Sequence, residues 1–283
     1  MQRAYADTAL GQVHYVTEGD GQPLVLLHQA PLSAQTYHKL IPELSTRFRV
    51  IAVDTPGCGN SDPPREDAAI GDLSGAVVQL LDTLQLDRAH VFGLHTGASI
   101  GADMAATWPA RVDRLILMGF PLVEDQDERD TLLKGLEVHS AQLATILGDG
   151  SHLPKIWGEA TMAIMKHWWF TGAAPTQEVP STLLDFMARY AVDVQLARKS
   201  IWAIYRAVFT YKAAEKLPLI QAPTLHIEAG SPFEAEFCRR SDRLGQLVSH
   251  LAITTLDVGD ANAAEFASAQ LADVIKTFLE TER

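Results

Sequence analysis

The sequence predicts an α/β fold: a mostly parallel, twisted sheet with helices on both faces and one inserted helical segment. Three observations carry this. Short continuous apolar runs at 23–27, 49–53, 91–92, 114–118, 222–227 and 251–256 read as strands, and runs of that kind suit strands buried on both faces. Between the earlier ones lie segments with apolar residues at helical spacing, 37–44, 73–84 and 98–108, joined by short turn-rich loops. From Pro121 to about Lys216 the strand pattern stops and only helical patterns remain. A chain of 283 residues, 47% apolar, suits one such core carrying one insertion.

Taken in order, 12–17 alternates and ends in Glu18-Gly19-Asp20-Gly21, an antiparallel edge strand and its turn. The strand at 23–27 runs into His28-Gln29-Ala30-Pro31, and the parallel strand at 49–53 into Asp54-Thr55-Pro56-Gly57-Cys58-Gly59-Asn60-Ser61-Asp62, a loop dense in turn formers. The helix at 73–84 leads to the strand at 91–92, the tight turn Gly93-Leu94-His95-Thr96-Gly97 and a helix over 98–108 that Trp108-Pro109 stops. The insertion reads as helices at 132–147, 157–170, 182–190 and 194–213, broken by Gly148-Asp149-Gly150 and by Gly172 with Pro175. It carries Trp157, Trp168, Trp169 and Phe170. Three consecutive aromatics cannot all face one core, so one of them is expected to wall an apolar cleft, against the plainer expectation of packing onto the core. The core resumes at 222–227 and 251–256 and closes with a helix through Phe278-Leu279.

The net charge of -12 argues against nucleic acid and anionic membrane surfaces as partners and favours solubility. Cys58 and Cys238 sit in no pairing or zinc motif. Met1-Gln2-Arg3-Ala4-Tyr5 opens no apolar leader, and no run reaches transmembrane length. These features predict a cytoplasmic protein with a small-molecule substrate or ligand, no cofactor and no metal, and leave a homodimer open.

Leu27-His28-Gln29-Ala30-Pro31, the loop Asp54 to Asp62, the strand–turn–helix around Gly93 and Gly97, and Pro109-x-x-Val112-x-x-Leu115 together resemble the α/β-hydrolase superfamily, in its usual order and spacing. The likeness covers about residues 10–120 and 215–283. It implies an α/β-hydrolase core at 1–120 and 217–283 and a helical cap at 121–216 over the active site. It also implies a nucleophile at position 95, an acid after the penultimate strand and a histidine after the last. The chain departs at all three. Position 95 is His95, the acid's turn reads Glu228-Ala229-Gly230-Ser231-Pro232-Phe233, and Asp260 stands in the histidine's place. Glu228 and Glu234 lie near the acid's position but out of register; Glu124 occupies the place the family sometimes uses instead.

Without a hydroxyl or thiol at the elbow, the acyl-enzyme route lacks its parts. Ser99 is expected to cap or pack the first turn of its helix, and His226 to sit in the core. The resemblance makes positions 95 and 260 neighbours, a swapped imidazole–carboxylate pair. The carboxylate would fix the ring's tautomer while the helix N-terminus opposes protonation, leaving His95 a base near neutral pH. Backbone N–H groups of Ala30 and Thr96 would polarise a carbonyl, with the Gln29 amide facing the pocket. His28, Trp168 and Trp169 are the substrate-binding candidates. Three functions follow, in order: an enzyme using His95 as general base on a small, largely apolar carbonyl compound, by ester or lactone hydrolysis or by C–C cleavage or isomerisation; a non-catalytic ligand-binding homologue; and a metal site on His95 and Asp260, which lacks a third ligand.

Overall fold

In the computed structural model, residues 1–158, 181–229, 241–256 and 263–281 are described. Eight strands, β1 (Gln2–Thr8), β2 (Gly11–Glu18), β3 (Gln22–Leu27), β4 (Phe48–Val53), β5 (Ala89–Leu94), β6 (Val112–Met118), β7 (Thr224–Ala229) and β8 (Leu251–Leu256), form one sheet in the order β1-β2-β4-β3-β5-β6-β7-β8. The pairs from β4 through β8 are parallel, while β1–β2 and β2–β4 are antiparallel. The expected α/β fold is therefore the observed one.

Three details differ from expectation. Residues 12–17 are not an edge: β1 lies outside β2, paired from Gln2↔Thr17 to Thr8↔Gly11. Within β1 only Ala6 is buried, so no apolar alternation announces the strand and backbone pairing alone builds it. The helices α1 (Leu40–Leu44), α2 (Ile70–Thr83) and α3 (Thr96–Thr107) lie close to their expected places, and α4 (Gln126–Ala144) starts earlier, where Asp125 accepts a hydrogen bond from the Glu128 amide as N-cap. Helix α5 is described over 152–158, and the expected helix at 157–170 lies, from 159 on, outside the described residues. The expected break at 190–194 is absent. Helix α6 (Ser181–Ala197) is continuous, and the chain turns instead at 198–200 before α7 (Ile201–Phe209). Then come α8 (Ala213–Lys216), α9 (Ser241–Leu247), α10 (Ala263–Phe266) and α11 (Ser268–Glu280).

The sheet separates two apolar layers. Val25, Leu27, Val53, Val91, Leu115 and Leu117 pack with α2 and α3 on one face. Leu24, Leu26, Val50, Phe92, Leu94, Ile116 and Met118 pack with α1 and α11 on the other. The alternation of each strand between these layers is the period-2 geometry of a strand with both faces covered. The described residues between 121 and 216 contain helices and no strand. Leu143, Ile156, Val194, Ala197, Ile201 and Ile204 close over Cys58 and Ala30, at the carboxyl ends of β4 and β3. None of the described helices is long and apolar enough to cross a membrane.

From β3 the chain crosses to β4 on one side and later returns to place β5 on the other. The crevice at the carboxyl ends of β3 and β5 is thus the topological switch point, where open α/β sheets bind ligands.

Candidate active site

The two sides of that crevice are the loop 28–33 and the turn around His95. The turn is built by glycines. A Cβ on Gly93 would collide with the backbone of Gly97, and one on Gly97 with the carbonyl of Leu27. The turn can therefore close only with glycine at both ends, and α3 starts directly against β3. His95 sits between them at φ 49 and ψ -109, a conformation that is costly for a residue with a Cβ and that surrounding structure must enforce. Its N–H donates to Met118 O at 2.9 Å, and its carbonyl accepts from Ala98 N at 2.9 Å and Ser99 N at 3.2 Å. The side chain, half-buried, stands at the N-terminus of α3. The first amides of a helix have no intrahelical acceptor, so Thr96 N–H is available beside it.

Across the crevice, Ala30 N–H donates to the Thr96 hydroxyl at 3.3 Å. The Ala30 amide, one of the two expected carbonyl-polarising groups, is thus held against the side chain of the residue that carries the other. Gln29 is partly exposed, and its amide oxygen is buried without a hydrogen-bond partner among the described residues. His28 is different from its expected role. It is 0% exposed; Nδ1–H donates to Gln29 O at 2.9 Å, and Nε2 accepts from Thr55 N–H at 3.0 Å. A carbonyl can only accept and an amide can only donate, so the ring is neutral with its proton on Nδ1. Burial holds its pKa below the usual range, against the pull of Asp54 and of the Gln29 hydrogen bond. With both nitrogens engaged and no exposed edge, His28 braces loop 54–62 rather than contacting a ligand.

That loop is stapled by Asp54. Its Oδ1 accepts from Ala34 N at 2.7 Å, and its Oδ2 from Asn60 N at 2.9 Å and His14 Nδ1 at 2.8 Å. Burial raises its pKa, but the His14 hydrogen bond and the Asn60 and Ala34 amides outweigh it and hold the group below the ordinary carboxylate value. Ser99 is 1% exposed, its hydroxyl without a hydrogen-bond partner among the described residues, and Ser61 is engaged with Asp54 O at 2.6 Å and His14 N at 2.8 Å. Neither is placed as a nucleophile. His226 is fully buried and shares the Ser241 hydroxyl, at 2.8 Å, with the Glu228 carboxylate. Glu124 makes a bidentate pair with Arg243, 2.8 Å on each side, at the surface. Asp260, Trp168, Trp169, Gly230, Ser231 and Glu234 lie outside the described residues.

A further group, absent from the sequence-derived candidates, borders loop 28–33. Asp193 of α6 is 6% exposed and accepts from the Ser33 hydroxyl at 2.9 Å, while Tyr190 and Tyr205 pack beside Ala30 and Cys58. With a helix break assumed near 193, that aspartate reads as a loop residue. On one continuous helix, 186, 190, 193, 194 and 197 share a face, and the polar member of that stripe is the signal.

Comparison with known proteins agrees with this geometry. The sequence profile of the alpha/beta hydrolase fold family matches residues 22–213. Among relatives, a 2-hydroxy-6-oxononadienedioate/2-hydroxy-6-oxononatrienedioate hydrolase of Pseudomonas putida is 33% identical over 136 residues, 44% of this chain and 48% of that protein. A soluble epoxide hydrolase of a Corynebacterium species is 36% identical over 107 residues, 38% of this chain and 37% of that protein. The matches thus span about half the length of those relatives or less. The crystal structure of an enol-lactonase from Burkholderia xenovorans superposes with a TM-score of 0.72 at 21% identity, covering 98% of this chain and 100% of that one. Family profile, sheet order and elbow coincide: the chain belongs to the alpha/beta hydrolase fold family.

Proposed function

We propose that this chain is a hydrolase-type enzyme acting on a small, largely apolar carbonyl compound, with His95 as its general base and no serine nucleophile. The observation that carries the reading is His95 itself, an imidazole held at positive φ at the elbow, beside the amides of Thr96 and Ala30. The relatives support hydrolysis of a small molecule, one being named as a hydrolase of oxo-dienedioates and another as an epoxide hydrolase. In the proposed reaction His95 takes a proton from water, and the hydroxide adds to the carbonyl carbon. The tetrahedral oxyanion rests on the N–H groups of Thr96 and Ala30, which rotation of the Thr96 hydroxyl frees. Collapse expels the alkoxide or enolate, which recovers the proton from His95. In this proposal Asp260 orients the ring, 121–216 forms the cap, and Trp168 and Trp169 supply its apolar wall.

A second reading, a ligand-binding homologue without catalysis, is favoured by the Ala30 amide already being engaged by Thr96. Turnover of a panel of aryl esters, lactones and 2-hydroxy-6-oxo-dienoates separates the two. His95→Ala and His95→Gln are expected to lower kcat/KM at least about a hundredfold while an organophosphonate probe leaves the wild type unlabelled. Unchanged turnover in both variants, or no turnover of any panel member alongside tight binding, overturns the catalytic reading.

A further inference from the structure

We propose that Asp193 is a proton-dependent clasp: its carboxyl, seated on Ser33, holds helix α6 down on the loop that carries Ala30 and releases it on ionisation. This reaches beyond the enzymatic reading and does not depend on it, because seating of a helix is measured without turnover.

The contact joins elements 160 residues apart. Ser33, 2% exposed, donates its hydroxyl to Asp193 Oδ2 at 2.9 Å and accepts from the Gln35 amide at 3.2 Å. Around it, Val194 and Ala197 of the same helix lie with Cys58, Leu143, Ile156, Ile201 and Ile204, and Ala30, Tyr190 and Tyr205 flank them. Seating α6 therefore covers the loop whose Ala30 amide faces Thr96.

The surroundings suit the neutral acid. From the core, Asp54 presents a like charge, bound to His14; His28 is neutral, and the Cys58 thiol is buried and pushed up to about 12, chiefly by that burial. From α7, Tyr205 is held un-ionised by burial, and Tyr190 on α6 likewise. The cation acting on Asp193 is Arg189, one turn earlier on α6, and it is committed to Glu265 at 2.8 Å. Glu265, on α10, is shared with Lys39 and His38 of the core. An ionised Asp193 would thus lie buried opposite Asp54. Burial, with Asp54 adding, pushes its pKa up to about 7 against the hydrogen bonds of Ser33 and the charge of Arg189. On a lifted helix the group is solvated and titrates near the ordinary value of about 3.9. The acid is weaker when seated, so its contribution to seating is complete below about pH 3.9 and is lost as pH rises through about 7. The gap of about three units sets a ceiling of about a thousandfold on the change in the seating equilibrium.

The test combines hydrogen exchange with carboxyl titration. Opening of 184–197, corrected for intrinsic rates and referred to α3, should be at least about tenfold greater at pH 8 than at pH 5 in wild type, and nearly independent of pH in Asp193→Asn. A 13C titration of the Asp193 carboxyl in wild type should show a midpoint near 7, raised further in Ser33→Ala, which removes a hydrogen bond to the charged form. This second measurement stands even if Asp193→Asn fails to fold. A midpoint below about 5, a midpoint unmoved by Ser33→Ala, the same pH-dependent opening in Asp193→Asn, or equal loss of protection in α3 each overturns the clasp.

Discussion

A Cβ at position 97 would land on the Leu27 carbonyl, and β3 cannot retreat, because Leu27 is paired with Val53 on one side and Gly93 on the other. Gly97→Ala should therefore destabilise the protein by about 2–4 kcal/mol in urea unfolding. Gly135→Ala, in α4 with nothing within 4 Å of the new Cβ, should stabilise by about 0.5–1 kcal/mol. Equal midpoints for the two variants would show that the turn tolerates a side chain. Residues with rigid backbone demands were the legible ones: Gly93, Gly97 and the staple loop from Asp54 to Asp62 do in the structure what their spacing implied. His95 was legible as the elbow residue for the same reason, since its place follows from the glycines around it. His28 was not, because a histidine beside a pocket and a histidine beneath one have the same letter. Only the hydrogen-bond partners of its two nitrogens separate them. Asp193 was missed because its meaning depends on a helix running unbroken past it.

At the scale of elements, α6 is fastened to the core at a second place. Glu265, 4% exposed, lies 2.8 Å from Arg189 of α6 and 2.6 Å from Lys39, with His38 at 3.4 Å. Arg189→Met and Glu265→Gln should each destabilise, and the double variant should fall short of their sum by about 0.5–3 kcal/mol, because both delete one contact. Additivity in urea unfolding would show that α6 is seated without this pair. Where helices began and ended was only partly readable. The periodic apolar stripes fixed that helices exist, while the turn at 198–200 depends on packing against loop 54–62, where Gly57 lies against Ser200. Strand β1 was invisible for the opposite reason: it has almost no apolar face, and its partner supplies the order.

For the whole molecule, three buried groups shape stability against pH, with opposed signs. His28 has a lowered pKa, so its contribution is complete above about pH 6.5 and is lost as pH falls through its folded value. Asp54, also lowered, contributes above about pH 3.9 and is lost below it. Asp193, raised to about 7, works the other way and is lost as pH rises toward neutrality. Between about pH 4 and 7, stability should therefore climb more steeply with pH in Asp193→Asn than in wild type; parallel curves in denaturant titrations at each pH would refute the opposition. The overall architecture was the most legible level, since strands buried on both faces leave continuous apolar runs that turn chemistry punctuates. The order of strands in that sheet also has a consequence for synthesis. The six strands within residues 2–118 already form a contiguous block ending at β6, with loop 28–33 and His95 on adjacent strands inside it. At about 5–20 residues per second, the 111 residues from Gly119 to the end of β7 at Ala229 follow over roughly 6–22 s. Throughout that interval the nascent protein carries both walls of its crevice but leaves β6, whose seven residues are all buried in the finished fold, as an unpaired edge open to self-association until β7 arrives.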